Sequence, residues 1–158
     1  MVMAKRLKGG SEEYNIDEAT KEWHGRGAVG TRLYNAFAVA GLRVDAIDPG
    51  RARFSFTVPP RLTNGRKHMH GGAVASLVDL AGSAAFFAGG SPATGVSLDI
   101  TVSFLGAARA NEEIEIEAKV LGIGERTGCV TVEVRRKSTG EVLAHGRHTK
   151  YLAVSSKL

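Results

Sequence analysis

The stretch HMHGGAVASLVD, residues 68–79, places two glycines at what reads as the start of a helix and a carboxylate, Asp79, eight positions after Gly71. The first turn of a helix carries backbone N–H groups without intrahelical acceptors, at the positive end of the macrodipole. Glycine there lets a ligand oxygen come close to a free N–H, which is the geometry of an oxyanion hole. A tight turn into the helix explains the same glycines without any chemistry. Asp79 sits among residues that look like core, where an ionised carboxylate must be paired, hydrogen-bonded or facing a cavity. A structural aspartate that caps another segment or pairs with an arginine meets that need too. Ser76, Asp79 and Ser83 are spaced three and four apart and so share one narrow polar strip on a helix that is otherwise apolar nearly all round. At about 1.5 Å per residue, Gly71 and Asp79 are roughly 12 Å apart, too far for both to reach one carbonyl carbon and its attacking water. If both are catalytic, Asp79 works with the Gly71 of a second subunit, as two antiparallel helices about a two-fold axis permit. That reading implies an obligate dimer.

The elements that position these residues follow from periodicity. A helix over 71–88 ends at Gly89-Gly90, a natural C-cap, and is apolar on enough of its circumference to be buried on nearly all sides. Before it, RVDAI and ARFSFTV flank Asp48-Pro49-Gly50 as a hairpin, with Phe54, Phe56 and Val58 on one face. After it, residues 94–105, 112–123, 127–136 and 141–154 read as strands, with turns at Gly122-Ile123-Gly124 and Ser138-Thr139-Gly140. Residues 1–14 read as a basic tail and 17–40 as helical, anchored by Trp23, Leu33, Phe37 and Val39 and broken by Gly25, Gly27 and Gly30. The chain therefore divides into an N-terminal tail and helical segment, 1–40, and a main domain, 41–158. One long helix among about six antiparallel strands is an α+β plan in which the helix covers one face of the sheet.

Length and composition remove several classes of function. The 158 residues suit one compact domain, and 43% apolar and 23% charged residues are ordinary for a globular protein. No stretch approaches the roughly 20 apolar residues of a membrane span. The basic first ten residues lack a following apolar stretch, and acidic residues come soon after, so neither a secretory signal nor a transit peptide is expected. The single cysteine, Cys129, excludes an intrachain disulfide and reads as a small core residue of a strand. The formal charge of +5 is scattered, with Arg135-Arg136-Lys137 the only run of three, so no nucleic-acid partner is expected. His145 and His148 face opposite sides of a strand, and no Cys or Glu completes a set with them, with His68 and His70, or with Asp79, so no metal is expected. Ser97 in Gly95-Val96-Ser97-Leu98-Asp99 lacks the second glycine of a nucleophile elbow and continues as a strand.

Asn64, His70-Gly71-Gly72, Asp79, Gly95-Val96-Ser97-Leu98-Asp99 and Gly146-Arg147-His148-Thr149-Lys150, in this order and spacing, resemble the hotdog-fold acyl-CoA thioesterases of the thioesterase superfamily member 2, or acyl-CoA thioesterase 13, type. The resemblance covers about residues 40–153. It implies a hotdog fold and hydrolysis of a fatty or aryl acyl-CoA thioester to the acid and free coenzyme A. It implies that the Gly71 N–H polarises the carbonyl and that Asp79 of the neighbouring subunit activates water or attacks directly. Ser97 would hold the water, and Asn64 and His70 would shape the pocket at the helix start. Coenzyme A would touch Phe104, the turn Gly122, Ile123, Gly124, Glu125, Arg126 and Thr127, and Tyr151. That turn departs from relatives that carry lysines, having only Arg126 beside Glu125. The basic loop Gly65-Arg66-Lys67-His68-Met69 reads as solvated rather than as a replacement. The resemblance implies a homotetramer made of two dimers, no cofactor beyond the coenzyme A of the substrate, and residence in the cytoplasm or mitochondrial matrix. A hotdog dehydratase and a non-catalytic acyl-CoA-binding or regulatory module are the alternative readings.

Overall fold

The computed structural model describes residue 34, residues 37–91 and residues 95–152. The tail and most of the helical segment expected over 17–40 lie outside these residues. Tyr34 and residues 37–39 are helical.

Six strands form one antiparallel sheet: β1 (Leu42–Asp48), β2 (Arg51–Thr57), β3 (Val96–Phe104), β4 (Glu113–Ile123), β5 (Thr127–Arg136) and β6 (Val142–Tyr151). Their order across the sheet is β1-β2-β4-β5-β6-β3, so β3 crosses over to lie beside β6 and forms one edge. The single long helix among the described residues, α1 (Gly71–Ala88), lies between β2 and β3 in sequence and packs on the sheet. This is the α+β hotdog plan expected from the sequence. Pro49-Gly50 closes the β1–β2 hairpin as expected, with Gly50 at φ 69°, the left-handed conformation that glycine adopts without strain. The second expected turn lies later than its glycines indicate. Gly122 and Ile123 belong to β4 and pair with Cys129 and Gly128, and Leu121 bulges out of register between Val120 and Gly122. The chain reverses at Gly124-Glu125-Arg126 instead.

The core lies between α1 and the inner face of the sheet. Phe54, Phe56 and Val58 are fully buried with Ile114, Ile116, Val130, Val132 and Val134 opposite the helix residues Leu77, Val78, Ala81, Ala85 and Phe86. Each large apolar side chain buried in this way contributes about 1.5–3 kcal/mol. Close approach of helix to sheet depends on missing side chains at a few places. A Cβ on Gly146 would stand 2.8 Å from Val78, and one on Gly82 would stand 2.9 Å from Val130 and 3.0 Å from His148.

Two expectations change here. The helix is buried on the face formed by residues 73, 74, 77, 78, 81, 82, 85 and 86, whereas Ser76, Asp79, Leu80, Ser83 and Ala84 remain partly exposed. Its 18 residues and mean hydropathy of 1.5 match a membrane span by length and composition alone, and here that hydropathy belongs to a helix packed on a sheet. Cys129 is not a core residue. It lies half-buried on the outer face of β5, beside Thr149 and Arg147, because Val130 and Val132 take the inward positions of that strand.

Candidate active site

The sequence-derived site residues fall into three groups in one chain. The first surrounds the start of α1. His70 is the N-cap, with extended backbone and its Nδ1 accepting a hydrogen bond from the Gly72 N–H at 3.0 Å. The His70 carbonyl accepts from Ala73 and Val74. The Gly71 N–H is left as the first-turn donor without an acceptor among the described residues. Gly71 lines a cavity of about 250 Å³ whose walls include Met69, Val74, Phe104, Ile114 and Leu143. The Phe104 ring lies 3.3 Å from where a Cβ on Gly71 would be, so the glycine serves this close packing as well as keeping a free amide. Asn64 reaches the same cavity. Its Oδ1 accepts from the Arg66 and Lys-flanked His68 N–H groups at 2.9 and 3.2 Å and so shapes the 64–68 loop. Arg66 and Lys67 on that loop are exposed.

The second group lies further along the helix. Asp79 is half exposed rather than sealed in the core, and it meets strand β6 rather than an arginine. Its Oδ1 is 3.5 Å from Nε2 of His148 and 4.0 Å from Nζ of Lys150. His148 Nε2 also lies 2.9 Å from the Ser97 Oγ. Lys150 Nζ donates to the Ser83 Oγ at 2.7 Å, and the Ser83 hydroxyl donates to the Asp79 carbonyl at 2.8 Å. The polar strip thus divides: Asp79 and Ser83 join this cluster, whereas the Ser76 hydroxyl donates to the Gly72 carbonyl one turn back.

Electrostatics assign states to this cluster. Burial pushes the His148 imidazole below its ordinary value, with the Asp79 charge acting in the opposite direction and the Lys150 charge in the same one. The ring is accordingly neutral near pH 7. Its Nδ1 is buried and makes no bond of ordinary geometry among the described residues, while the Asp79 backbone acts on the ring in the raising direction. The tautomer of the ring sets the direction of the Ser97–His148 bond, since either partner can donate. Burial lowers Lys150 as well, partly offset by Asp79.

The orientation of Ser97 depends on a β-bulge. Ser97 pairs with Lys150 and Asp99 with Thr149, leaving Leu98 unpaired, while Ile100 pairs with His148. In unbroken alternation Ser97 would face the same side as Asp99 and Thr101, away from the helix. The extra residue turns it to the side of His148 and Lys150.

The third group is at the far end of β6. Thr127 and Val96 both pair with Tyr151, and the Leu152 N–H donates to the Arg126 carbonyl. The 124–127 segment and Tyr151 are therefore neighbours. Phe104 is not, since it pairs with Ala144 at the opposite end of β3, about 26 Å from Val96 at roughly 3.3 Å per residue. Ser97 and Phe104 are similarly separated, and Gly71 and Asp79 remain two turns apart on α1. One chain does not gather these residues at a single point.

From the sequence, Lys150 has no role beyond its place in a motif, and His148 is considered otherwise only as a metal ligand. A signal for them was present. Ala144, Gly146, His148, Lys150 and Leu152 alternate along β6 and are all buried, so an imidazole and an ammonium occupy inward positions of a core strand.

Residues 66–143 match the family model described as thioesterase superfamily. Human acyl-coenzyme A thioesterase 13 is 36% identical over 104 residues, which cover 66% of this chain and 74% of that protein. The fold is similar to the crystal structure of zebrafish thioesterase superfamily member 2, with a TM-score of 0.74 and 28% identity over 88% of this chain and 99% of that one. It is also similar to the E. coli PaaI protein from the phenylacetic acid degradation operon, with a TM-score of 0.67 and 25% identity over 86% and 94% of the two chains.

Proposed function

The chain belongs to the thioesterase superfamily, and from that premise we propose that it hydrolyses acyl-CoA thioesters to a carboxylic acid and free coenzyme A, at a site built between two copies of the chain. The observation that carries this reading is the division of the site. An amide unpaired among the described residues and an apolar cavity lie at one end of α1, and a carboxylate backed by an imidazole and an ammonium lies two turns away.

The exposed edge of the sheet supports the pairing of two copies. Along β3 and just beyond it, Val96, Leu98, Phe104 and Leu105 are 56–66% exposed, and the outer backbone groups of an edge strand offer a template for another strand. Antiparallel pairing of two β3 strands centred on Ile100 would put Ser97 of one copy opposite Ser103 of the other, next to Phe104. The acidic cluster of one copy then approaches the Gly71 end of its twin, as a two-fold axis requires.

At such a site the thioester carbonyl oxygen receives the Gly71 N–H, which stabilises the charge that develops on it. The acyl group enters the apolar cavity. Water held by the Ser97 hydroxyl gives a proton to Asp79 as its oxygen attacks the carbonyl carbon. The tetrahedral intermediate then collapses with cleavage of the C–S bond, and the coenzyme A thiolate leaves and takes up a proton. Direct attack by the Asp79 carboxylate, followed by hydrolysis of the anhydride, uses the same geometry.

Incubation with fatty and aryl acyl-CoA esters, followed by detection of free thiol, tests the proposal. Thiol release by the wild type and its loss by about 10²–10⁴-fold in folded Asp79→Asn are the expected results. Tight binding without thiol release would leave a binding module in place of an enzyme. Wild-type turnover in folded Asp79→Asn would remove Asp79 from the mechanism.

A further inference from the structure

Lys150 is 4% exposed, which is unusual for a lysine. Its ammonium is engaged twice with the same residue of α1: directly, at 4.0 Å from the Asp79 Oδ1, and through Ser83, whose hydroxyl accepts from Nζ and donates to the Asp79 carbonyl. Resting on the hydrolase reading above, we propose that Lys150 is a positioning residue that holds the Asp79 carboxylate toward the cleft, its ammonium and the Ser83 hydroxyl forming a fixed cationic seat beneath the acid.

The surroundings account for a charged lysine at this place. From α1, Asp79 is the charged group that faces it, accompanied by the Ser83 hydroxyl. From β3, the cross-strand partner is the uncharged Ser97, with Asp99 beyond the bulge. From β5, the partner is Gly128, which has no side chain. From β6 itself, His148 lies two residues away on the same face and is neutral near pH 7. Asp79 is thus the one carboxylate in direct reach of the ammonium among the described residues. A half-exposed acid on a helix surface would otherwise sample several rotamers, and a catalytic group works best when its geometry is set before the reaction. A seat behind the carboxylate fixes one oxygen and leaves the other directed outward. His148 complements this by fixing the Ser97 hydroxyl through Nε2.

A charged seat has a signature that packing alone lacks. Burial makes Lys150 lose its proton below the ordinary lysine value, against the opposing pull of Asp79. Hydrolysis should therefore fall on an alkaline limb as the ammonium is neutralised. The test is the pH profile of kcat and KM for an acyl-CoA ester, with the spontaneous rate subtracted, in the wild type, Lys150→Met, Lys150→Arg and Ser83→Ala. In Lys150→Met, kcat should fall by about 10- to 100-fold with little change in KM, and the alkaline limb should vanish. Lys150→Arg, which keeps its charge at all accessible pH values, should recover most of kcat and move the limb to higher pH. Ser83→Ala should lower kcat several-fold and reads the same seat if Lys150→Met does not fold. A folded Lys150→Met, or in its place Ser83→Ala, with wild-type kcat and an unchanged alkaline limb overturns the assignment and leaves the hydrolase reading intact. Absence of thiol release by the wild type overturns both.

Discussion

Replacing Gly82 by alanine sets two known effects against each other at the point where helix packing and the candidate site meet. The new methyl would lie 2.9 Å from Val130 Cγ2 and 3.0 Å from His148 Nδ1. Ordinary contact begins at 3.4 Å, so the neighbours must yield by about 0.4–0.5 Å. Neither yields easily. Val130 is a β-branched residue in a central strand, and the His148 ring is fully buried and tied to Ser97. Alanine in a helix interior gains about 1 kcal/mol over glycine, whereas overpacking a core costs about 1–3 kcal/mol. The balance is a net loss of about 1 kcal/mol, which for a domain of this size lowers Tm by about 2–4 °C. The same displacement pushes His148 toward Ser97 and Asp79 and should lower kcat about tenfold, with KM little changed. Calorimetry and a thiol-release assay at equal protein concentration measure both quantities. A rise in Tm with wild-type kcat would mean that the helix gain prevails and that His148 does not depend on the space above Gly82.

Three further outcomes follow from particular contacts. His70→Ala removes the N-cap bond to Gly72 and should cost about 1 kcal/mol, visible as a drop in the urea midpoint without a change in slope. Leu98→Lys places a charge on the exposed β3 edge, and light scattering should find single copies of it where the wild type gives two or more, with thiol release lost in parallel; an active single copy would rule out a shared site. The His148 imidazole is lowered in the folded state by burial. The unfolded chain therefore binds a proton first, and stability should fall as pH drops from about 6.5 toward the lower folded value. Denaturation midpoints across that range should show a step in the wild type that is missing in His148→Gln.

The sequence makes some elements far more legible than others. The helix over about 71–88 is legible because its apolar run is long and both ends carry distinct chemistry, His70-Gly71-Gly72 before it and Gly89-Gly90 after it. The β1–β2 hairpin was equally clear from Pro49-Gly50 between two alternating runs. Gly122-Ile123-Gly124 misleads as a turn because a glycine can sit in a bulged strand as easily as in a reversal. Cys129 reads as core because alternation alone does not say which of two faces is covered, and valines at 130 and 132 decide it. In the site, Gly71 and Asp79 stand out because their types are at odds with an ordinary buried helix. The cluster of His148, Lys150 and Ser83 does not, because it depends on β6 passing beneath α1, as in the Lys150–Ser83 contact across 67 positions of sequence.

The bulge at Leu98 makes β3 a strand of two phases. From Asp99 onward even-numbered residues face the helix, and before it the odd-numbered Ser97 does. Were Leu98 drawn into regular pairing, the inner and outer sets of the preceding segment would exchange and the hydroxyl would pass to the wrong side of the sheet, with every amino acid of the site still present. The candidate site thus rests on where the pairing of β3 slips as much as on which residues it contains.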